Sequence, residues 1–175
     1  MASGCNDPCL LLEQREDPAV ALIIRSTLAS DAQPIGNLAR EFASYLRELG
    51  DLTDFKLTAN AYLRDGFGTK PAFAGLVAED QGKVIGYLLY HFGYDSDSAA
   101  RNMQVVDLYV DRAARKQGVG RALMARAASI ARENSAKEII WSVYQSNTIA
   151  ATFYEKLGAQ RITDVFFMKL SADKI

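Results

Sequence analysis

Short apolar runs alternate with longer amphipathic stretches along the chain, and this pattern predicts alternating strands and helices. Apolar, β-branched and aromatic residues cluster in six short runs, which predict strands at 21–25, 73–79, 83–92, 103–110, 138–144 and 165–170. Helical spacing of apolar residues predicts helices that begin at Ser30 or Asp31, at Thr58, after Gly118 and after Asn147. The order β, α, α, β, β, β, α, β, α, β contains no repeat or linker, so we expect one α/β domain.

Two polar segments interrupt this pattern. Residues 93–102 are rich in Asp, Ser and Asn, and they predict a loop before the central strand. Residues 1–18 contain two prolines and no sustained hydrophobic period, so we expect a flexible N-terminal extension there. The domain itself is then expected to span residues 19–175.

Composition excludes several classes of function. The chain has 175 residues with 20 basic and 21 acidic side chains, so its net charge of −1 creates no general attraction to nucleic acid or to a membrane surface. Cys5 and Cys9 are its only cysteines and His91 its only histidine, so we expect free thiols, a reducing compartment and no metal site. No run approaches the roughly 20 apolar residues of a membrane span. We therefore expect a cytoplasmic protein.

The segment 103–133 carries the clearest functional signal. A buried strand runs through the basic sequence Arg115-Lys116-Gln117-Gly118-Val119-Gly120 into an amphipathic helix. Backbone N–H groups at the start of a helix bind anions, and glycines allow a ligand to approach the backbone closely. Glycine in this place is equally compatible with a tight turn that only requires a positive φ. The loop lacks the Gly-Lys-Ser/Thr ending of a Walker loop and the spacing of a dinucleotide fingerprint. The remaining interpretation is a site where backbone N–H groups bind a pyrophosphate, with Arg115, Lys116 and Arg121 adding positive charge.

At these residues the chain resembles the GNAT family of N-acetyltransferases. The family signature Arg/Gln-x-x-Gly-x-Gly/Ala is met as Arg115-x-x-Gly118-x-Gly120, and Asn147-x6-Tyr154 followed by Glu-Lys-Leu-Gly-Ala is similar to its other recurrent block. Segments 63–68, 76–79 and 90–95 resemble the diamine and thialysine acetyltransferase branch. The resemblance covers residues 21–170. It implies a mixed, mostly antiparallel central sheet flanked by helices and splayed between the fourth and fifth strands.

The resemblance also implies a cosubstrate and a set of residues. Acetyl-coenzyme A is expected against the central strand, with its pyrophosphate in the glycine loop and without a metal. The expected cofactor-binding residues are Leu108, Tyr109, Val110, Arg115, Lys116, Gln117, Gly118, Val119, Gly120, Arg121 and Asn147. Tyr154 lies where the family's tyrosine donates a proton to the departing thiolate, as a phenol that is protonated at neutral pH is able to do. Similar proteins are usually dimers, and the strand at 165–170 offers an interface edge for a homodimer.

The acceptor and the general base stay open at this point. The diamine branch has a glutamate where this chain has Val106, and strict alternation along a strand would point Val106 and Asp107 to opposite faces. The base is Asp107, Glu79, Glu48 or a chain of waters, and Asp107 is equally compatible with a structural carboxylate. Glu48 and Asp107 are the expected acceptor-binding residues. We expect direct acetyl transfer to a small primary amine, such as a diamine, polyamine or amino acid; a protein or peptide acetyltransferase and a non-catalytic coenzyme A-binding module are the alternatives.

Overall fold

A five-stranded sheet forms the centre of the fold in the computed structural model, which describes residues 22–174. The strands follow chain order and are β1 (Ile23–Ser26), β2 (Ala74–Asp80), β3 (Lys83–Asp95), β4 (Ala100–Val110) and β5 (Ala136–Ile140). The pairs from β1 to β4 are antiparallel, and β4 pairs with β5 in parallel. The predicted mixed, mostly antiparallel sheet is therefore confirmed.

Four helices flank the sheet, at α1 (Ala32–Glu48), α2 (Ala59–Gly66), α3 (Val119–Glu133) and α4 (Thr148–Glu155). The predicted ends of α1 and α2 are formed by local chemistry. The Thr58 hydroxyl accepts a hydrogen bond from the Ala61 N–H at 3.1 Å, and Gly50, with φ +92°, ends α1. Asp31 precedes α1 as predicted, but its carboxylate binds Arg25 and the Leu28 N–H instead of the first turn of the helix.

The helices cover both faces of the sheet. Helices α1 and α2 bury one face in a core cluster that includes Ile35, Tyr62, Tyr87 and Tyr109. Helix α3 covers the other face through residues such as Leu123 and Ala127, and side chains of α4 pack at the edge of this second cluster. Helices α1 and α3 each bury one apolar stripe, whereas none of the residues of α4 is fully buried.

The predicted loop at 93–102 is wrong, since most of it belongs to a long β-hairpin. The ladder of β3 and β4 continues through the pairs Gly93–Asn102, Tyr94–Arg101 and Asp95–Ala100, which leaves only 96–99 as the turn. This end of the hairpin reaches into solvent, and the Tyr94 side chain is exposed. Polar composition here therefore marks the end of a hairpin, in which Tyr94 and Arg101 are exposed and Asn102 is buried, instead of a loop.

The predicted strand at 165–170 is also wrong within the single chain, and β5 ends at Ile140 instead of residue 144. Residues 160–170 make no backbone hydrogen bond to any described residue. Most of their apolar side chains are largely exposed, up to 91% for Phe167. A strand forms only where a neighbouring edge accepts its N–H and C=O groups, so an apolar pattern alone does not produce one.

Within residues 22–174, no helix combines the length and the apolar character needed to cross a membrane. The expected N-terminal extension, residues 1–18, lies outside the described part of the chain.

Candidate active site

A gap opens between β4 and β5 beyond Gln104. The two strands pair only from Arg101 to Gln104, opposite residues 136–140, and β5 then ends while β4 continues to Val110. From Val105 to Val110, the edge of β4 that faces away from β3 has no strand neighbour among the described residues. Unpaired backbone N–H and C=O groups on such an edge bind an extended ligand as they would a strand. This is the predicted splay between the fourth and fifth strands.

The glycine loop connects the end of β4 to the start of α3. Lys116 and Gly118 both have a positive φ, at +64° and +85°. Gly118 is the N-cap of α3, and it supplies no side chain to satisfy the first turn. No hydrogen-bond acceptor among residues 22–174 is recorded for the N–H groups of residues 119–121. Backbone N–H groups that converge in this way form an anion site at the positive end of the helix dipole.

The two glycines of the loop have different roles. A methyl group placed on Gly118 would meet no atom within 4 Å, so this face of the loop is open. A methyl group on Gly120 would lie 3.2 Å from the Phe153 ring of α4. Gly118 thus shapes the concave side of the loop, whereas Gly120 lets α3 approach α4.

The cations of the loop also divide into two groups. Lys116 and Arg121 are exposed and form no ion pair with any described residue. Arg115 is held inside the protein, because its Nε donates to the Val110 carbonyl at 3.0 Å and its guanidinium stacks on the rings of Tyr45 and Tyr109. Arg115 therefore fixes the loop against β4 and α1, while Lys116 and Arg121 are available to an anion.

Asn147 closes the other side of the gap, before α4. Its side-chain oxygen accepts hydrogen bonds from the Ala150 N–H at 3.1 Å and from the Tyr45 hydroxyl at 2.8 Å, and the residue is buried. The predicted helix cap is therefore present. No partner among residues 22–174 is recorded for its amide nitrogen, so the amide N–H groups are available to a ligand.

A β-bulge lies at Val106, at the point where β4 and β5 separate. Leu89 pairs with Asp107 and Tyr90 pairs with Val105, so Val106 has no partner on β3. Before the bulge the odd-numbered positions of β4 contact the α3 core, and after it the even-numbered positions do. The strict alternation expected for this segment is therefore interrupted at Val106. Asp107 lies on the face that α1 covers.

Asp107 is the carboxyl group at this position, and burial alone raises its pKa to about 6. No hydrogen bond or ion pair to that carboxyl is recorded among the described residues. The charge of Asp107 contributes to the raised pKa values of three tyrosines. Burial is the larger cause for Tyr87 and Tyr154, and the hydrogen bond to Asp51 is the larger cause for Tyr144. A carboxylate of this kind is largely ionised at neutral pH and still able to take up a proton.

Tyr154 lies on α4, with its ring against Trp141 and Phe153 at centroid distances of 4.7 and 5.0 Å. Burial, followed by the charge of Asp107, raises the pKa of Tyr154 to about 12. The phenol is therefore protonated at neutral pH. Within residues 22–174 its hydroxyl has no recorded partner, so the proton is not committed to a structural hydrogen bond.

The other two acidic candidates are engaged elsewhere. Glu79 binds Arg25 at 2.8 Å on the β1–β2 side of the sheet, with β3 between it and β4. Glu48 forms an exposed ion pair with Arg112 at the end of α1. No recorded contact joins either carboxylate to Asp107 in the described part of the chain. Asp107 is therefore the acidic side chain that the structure brings together with Tyr154.

The end of α1 is fastened across the gap to the segment between β5 and α4. The Tyr144 hydroxyl donates to Asp51 at 2.6 Å, and the Ser146 hydroxyl donates to the Leu49 carbonyl at 3.1 Å. Sequence reasoning did not find these contacts, nor the positions of Tyr45, Tyr87 and Trp141. The residues of these two contacts are 93 and 97 positions apart, and Tyr45 contacts Asn147 across 102 positions, so only the folded chain brings them together.

Comparisons with known proteins agree with this geometry. A model of the acetyltransferase (GNAT) family matches residues 37–159. The chain is 34% identical over 151 residues to the thialysine N-epsilon-acetyltransferase of Bos taurus, covering 82% of this chain and 86% of that protein. It is 34% identical over 149 residues to the Mus musculus enzyme of the same name, covering 81% and 85%. An integron cassette protein of V. cholerae has a similar fold, with a TM-score of 0.74 and 21% identity over 87% of this chain and 93% of that one.

Proposed function

Given that the chain belongs to the acetyltransferase (GNAT) family and is an N-acetyltransferase, we propose that it transfers an acetyl group directly from acetyl-coenzyme A to the primary amine of a small molecule. The acceptor class is a diamine, a polyamine or an amino acid such as thialysine, the substrate named for its relatives. The observation that carries the proposal is the pair formed by the partly buried Asp107 carboxyl and the protonated Tyr154 phenol beside the gap. One group accepts a proton and the other donates one.

The residues around the gap fit acetyl-coenzyme A. The open face at Gly118, the free N–H groups of residues 119–121 and the exposed cations of Lys116 and Arg121 suit a pyrophosphate. The unpaired edge at 108–110 suits the extended arm of the cosubstrate, and the Asn147 amide suits one of its carbonyl groups. Gln117 and Val119 contribute backbone N–H groups, while Arg115 and Gly120 hold the loop in place.

Asp107 acts as the general base in this proposal. The acceptor enters as an ammonium ion, and Asp107 takes one N–H proton from it, so that the nitrogen lone pair becomes free to attack the thioester carbonyl carbon. A base with a pKa near 6 accepts this proton at neutral pH and contributes roughly 10²–10⁴-fold to the rate. The negative charge of Asp107 also favours a cationic acceptor over a neutral or anionic one.

Tyr154 completes the proton transfer. When the carbon–sulfur bond breaks, the phenol donates its proton to the departing thiolate, and the carbonyl is retained as the new amide. Free thiols have a pKa near 8.5, so the thiolate that develops in this apolar setting is stabilised by the donated proton. The nitrogen of the collapsing adduct still carries one proton more than the amide, and this proton passes to the Tyr154 phenolate. Each turnover therefore leaves Tyr154 protonated as before and Asp107 protonated, and Asp107 then releases its proton to solvent.

Val106 distinguishes the acceptor site from that of the diamine branch. A glutamate there would add a second negative charge beside Asp107, whereas this chain has a half-exposed valine at the bulge. With one carboxylate in place of two, we propose that the site binds acceptors that have a single cationic amine near the reacting centre. Glu48, which is exposed and paired with Arg112, is retained as a group that contacts the far end of a longer acceptor.

The proposal extends to a homodimer and a cytoplasmic location. Four apolar side chains between Val165 and Met168 are 64–91% exposed in the single chain, an apolar patch of the kind that partners cover. The edge of β5 opposite β4 has no strand neighbour in residues 22–174, so a second copy offers an edge on which the segment 165–170 is able to pair. The cytoplasmic location is supported by the near absence of cysteine.

An acceptor panel tests the proposal. Purified protein is incubated with acetyl-coenzyme A and a mixture of diamines, polyamines, thialysine, amino acids and peptides with free N-termini, and acetylated products are identified by mass spectrometry. We expect acetylation of small primary amines by the wild type and a large loss with Tyr154→Phe. Selective acetylation of the peptides would contradict the proposed acceptor class, and binding of acetyl-coenzyme A without any product would favour the non-catalytic module.

A further inference from the structure

Tyr87 is a buried polar residue that neither packing nor the proposed proton transfers account for. It lies on β3, its side chain is fully buried against α1, and its hydroxyl has no hydrogen-bond partner within residues 22–174. Leaving a buried hydroxyl unpaired destabilises a protein, and phenylalanine would fill the same space without that cost. A tyrosine at this position therefore indicates that the hydroxyl has a partner in the working enzyme.

The sheet register places that hydroxyl beside the active site. Tyr87 lies directly opposite Tyr109 on β4, and Asp107 is two residues further along the same strand. Such diagonal neighbours on an antiparallel pair are roughly 7–8 Å apart, within reach of a long aromatic side chain. Because the bulge precedes Asp107, both residues lie on the face that α1 covers. Both also lack a hydrogen-bond partner in the described structure.

We infer that Tyr87 is a positioning residue for the base: its hydroxyl donates a hydrogen bond to a buried water that in turn donates to the Asp107 carboxylate. A single water is the shortest link between two polar groups that are too far apart to bond directly. The link would hold the carboxylate in one orientation and favour its ionised form. This inference rests on the proposed role of Asp107 as the base.

The other groups around Asp107 do not supply this link. Tyr144, which follows β5, donates its hydroxyl proton to Asp51, and Tyr154 on α4 faces the departing thiolate in the proposed reaction. Tyr109 on β4 is within 3.4 Å of Glu41 of α1, and Arg115 stacks on the Tyr109 ring. No basic side chain contributes to the pKa of Asp107, which burial alone raises. Among the residues described around Asp107, Tyr87 is thus the buried hydroxyl donor to which the structure gives no acceptor.

The test compares Tyr87→Phe with Tyr90→Phe, the same change on the same strand but on the opposite face of the sheet. The pKa of Asp107 is read in each protein from its ¹³C carboxyl resonance, and the acid limb of kcat/KM is measured in parallel. Removing the donor should raise the pKa of Asp107 by about half to one unit, roughly a three- to tenfold change in its acid dissociation constant. Tyr90→Phe should leave the pKa of Asp107 unchanged.

Two results would overturn the inference: a pKa of Asp107 in Tyr87→Phe equal to that of the wild type, or a pKa of Asp107 in Tyr90→Phe that rises as much as it does in Tyr87→Phe. The resonance reports on the link without requiring turnover. If Asp107→Asn retains full activity, the base assignment fails, whereas the titration still decides whether Tyr87 is linked to Asp107.

Discussion

Replacing Asp107 by asparagine should make the protein more stable and less active. The side chain keeps its size and a polar end, but it no longer carries a charge that burial opposes. Burial raises the pKa of Asp107 from 3.8 to about 6. A shift of about two units corresponds to about 3 kcal/mol of unfavourable free energy for the ionised form in the folded state, which is the upper limit of the gain.

The gain should appear only where Asp107 is ionised. Below pH 3.8 the group is protonated in both the folded and the unfolded chain, so the charge costs nothing. Between 3.8 and about 6 the unfolded chain has lost the proton while the folded chain retains it, so this group lowers the stability of the wild type as the pH rises. Above about 6 both states are ionised and the full cost is present. The advantage of Asp107→Asn should therefore grow across this window and then level off.

Urea unfolding followed by circular dichroism at a series of pH values measures this difference directly. Asp97→Asn, an exposed aspartate in the turn between β3 and β4, is the matched control and should show no such rise. An advantage that does not vary with pH, or a loss of stability at neutral pH, would refute the reasoning. The second result would mean that the folded protein pairs the carboxylate with a donor strong enough to offset its burial.

Three further changes test other parts of the site. Gly118→Ala and Gly50→Ala both force alanine into a left-handed conformation, at a cost of roughly 1–2 kcal/mol to stability. Calorimetry should show that only Gly118→Ala weakens the binding of acetyl-coenzyme A, by about tenfold or more. Tyr154→Phe should lower kcat roughly a hundredfold without changing the affinity for the cosubstrate. A smaller effect would mean that the Tyr154 ring serves only to pack the core. Phe167→Glu should give monomers in light scattering, whereas Leu52→Glu, at an equally exposed apolar site, should not.

Local features of the fold could be predicted from the sequence. The glycine loop, the cap at Asn147 and the end of α4 at Gly158 depend on residues within a few positions of one another. Their chemistry is therefore visible in the linear pattern. The same holds for the Thr58 cap of α2. These features are also the ones through which the family resemblance is recognisable.

Features that depend on distant partners could not be predicted. The bulge at Val106 exists because Tyr90 and Leu89 pair with residues two apart on β4, and no local signal marks it. The contact of Tyr45 with Asn147 joins residues 102 positions apart. The segment 165–170 has the composition of a strand, but it finds no edge to pair with in the single chain. In each case the missing information was the identity of the neighbour.

The central claim is that Asp107 accepts the proton of a small primary amine beside bound acetyl-coenzyme A. Coenzyme A release at neutral pH by the wild type and by Asp107→Asn, with the affinity for acetyl-coenzyme A measured on the same samples, tests it most directly. The predicted result is equal affinity and a loss of roughly a hundredfold or more in turnover of the small amine. Wild-type turnover by Asp107→Asn, with affinity unchanged, would contradict the account.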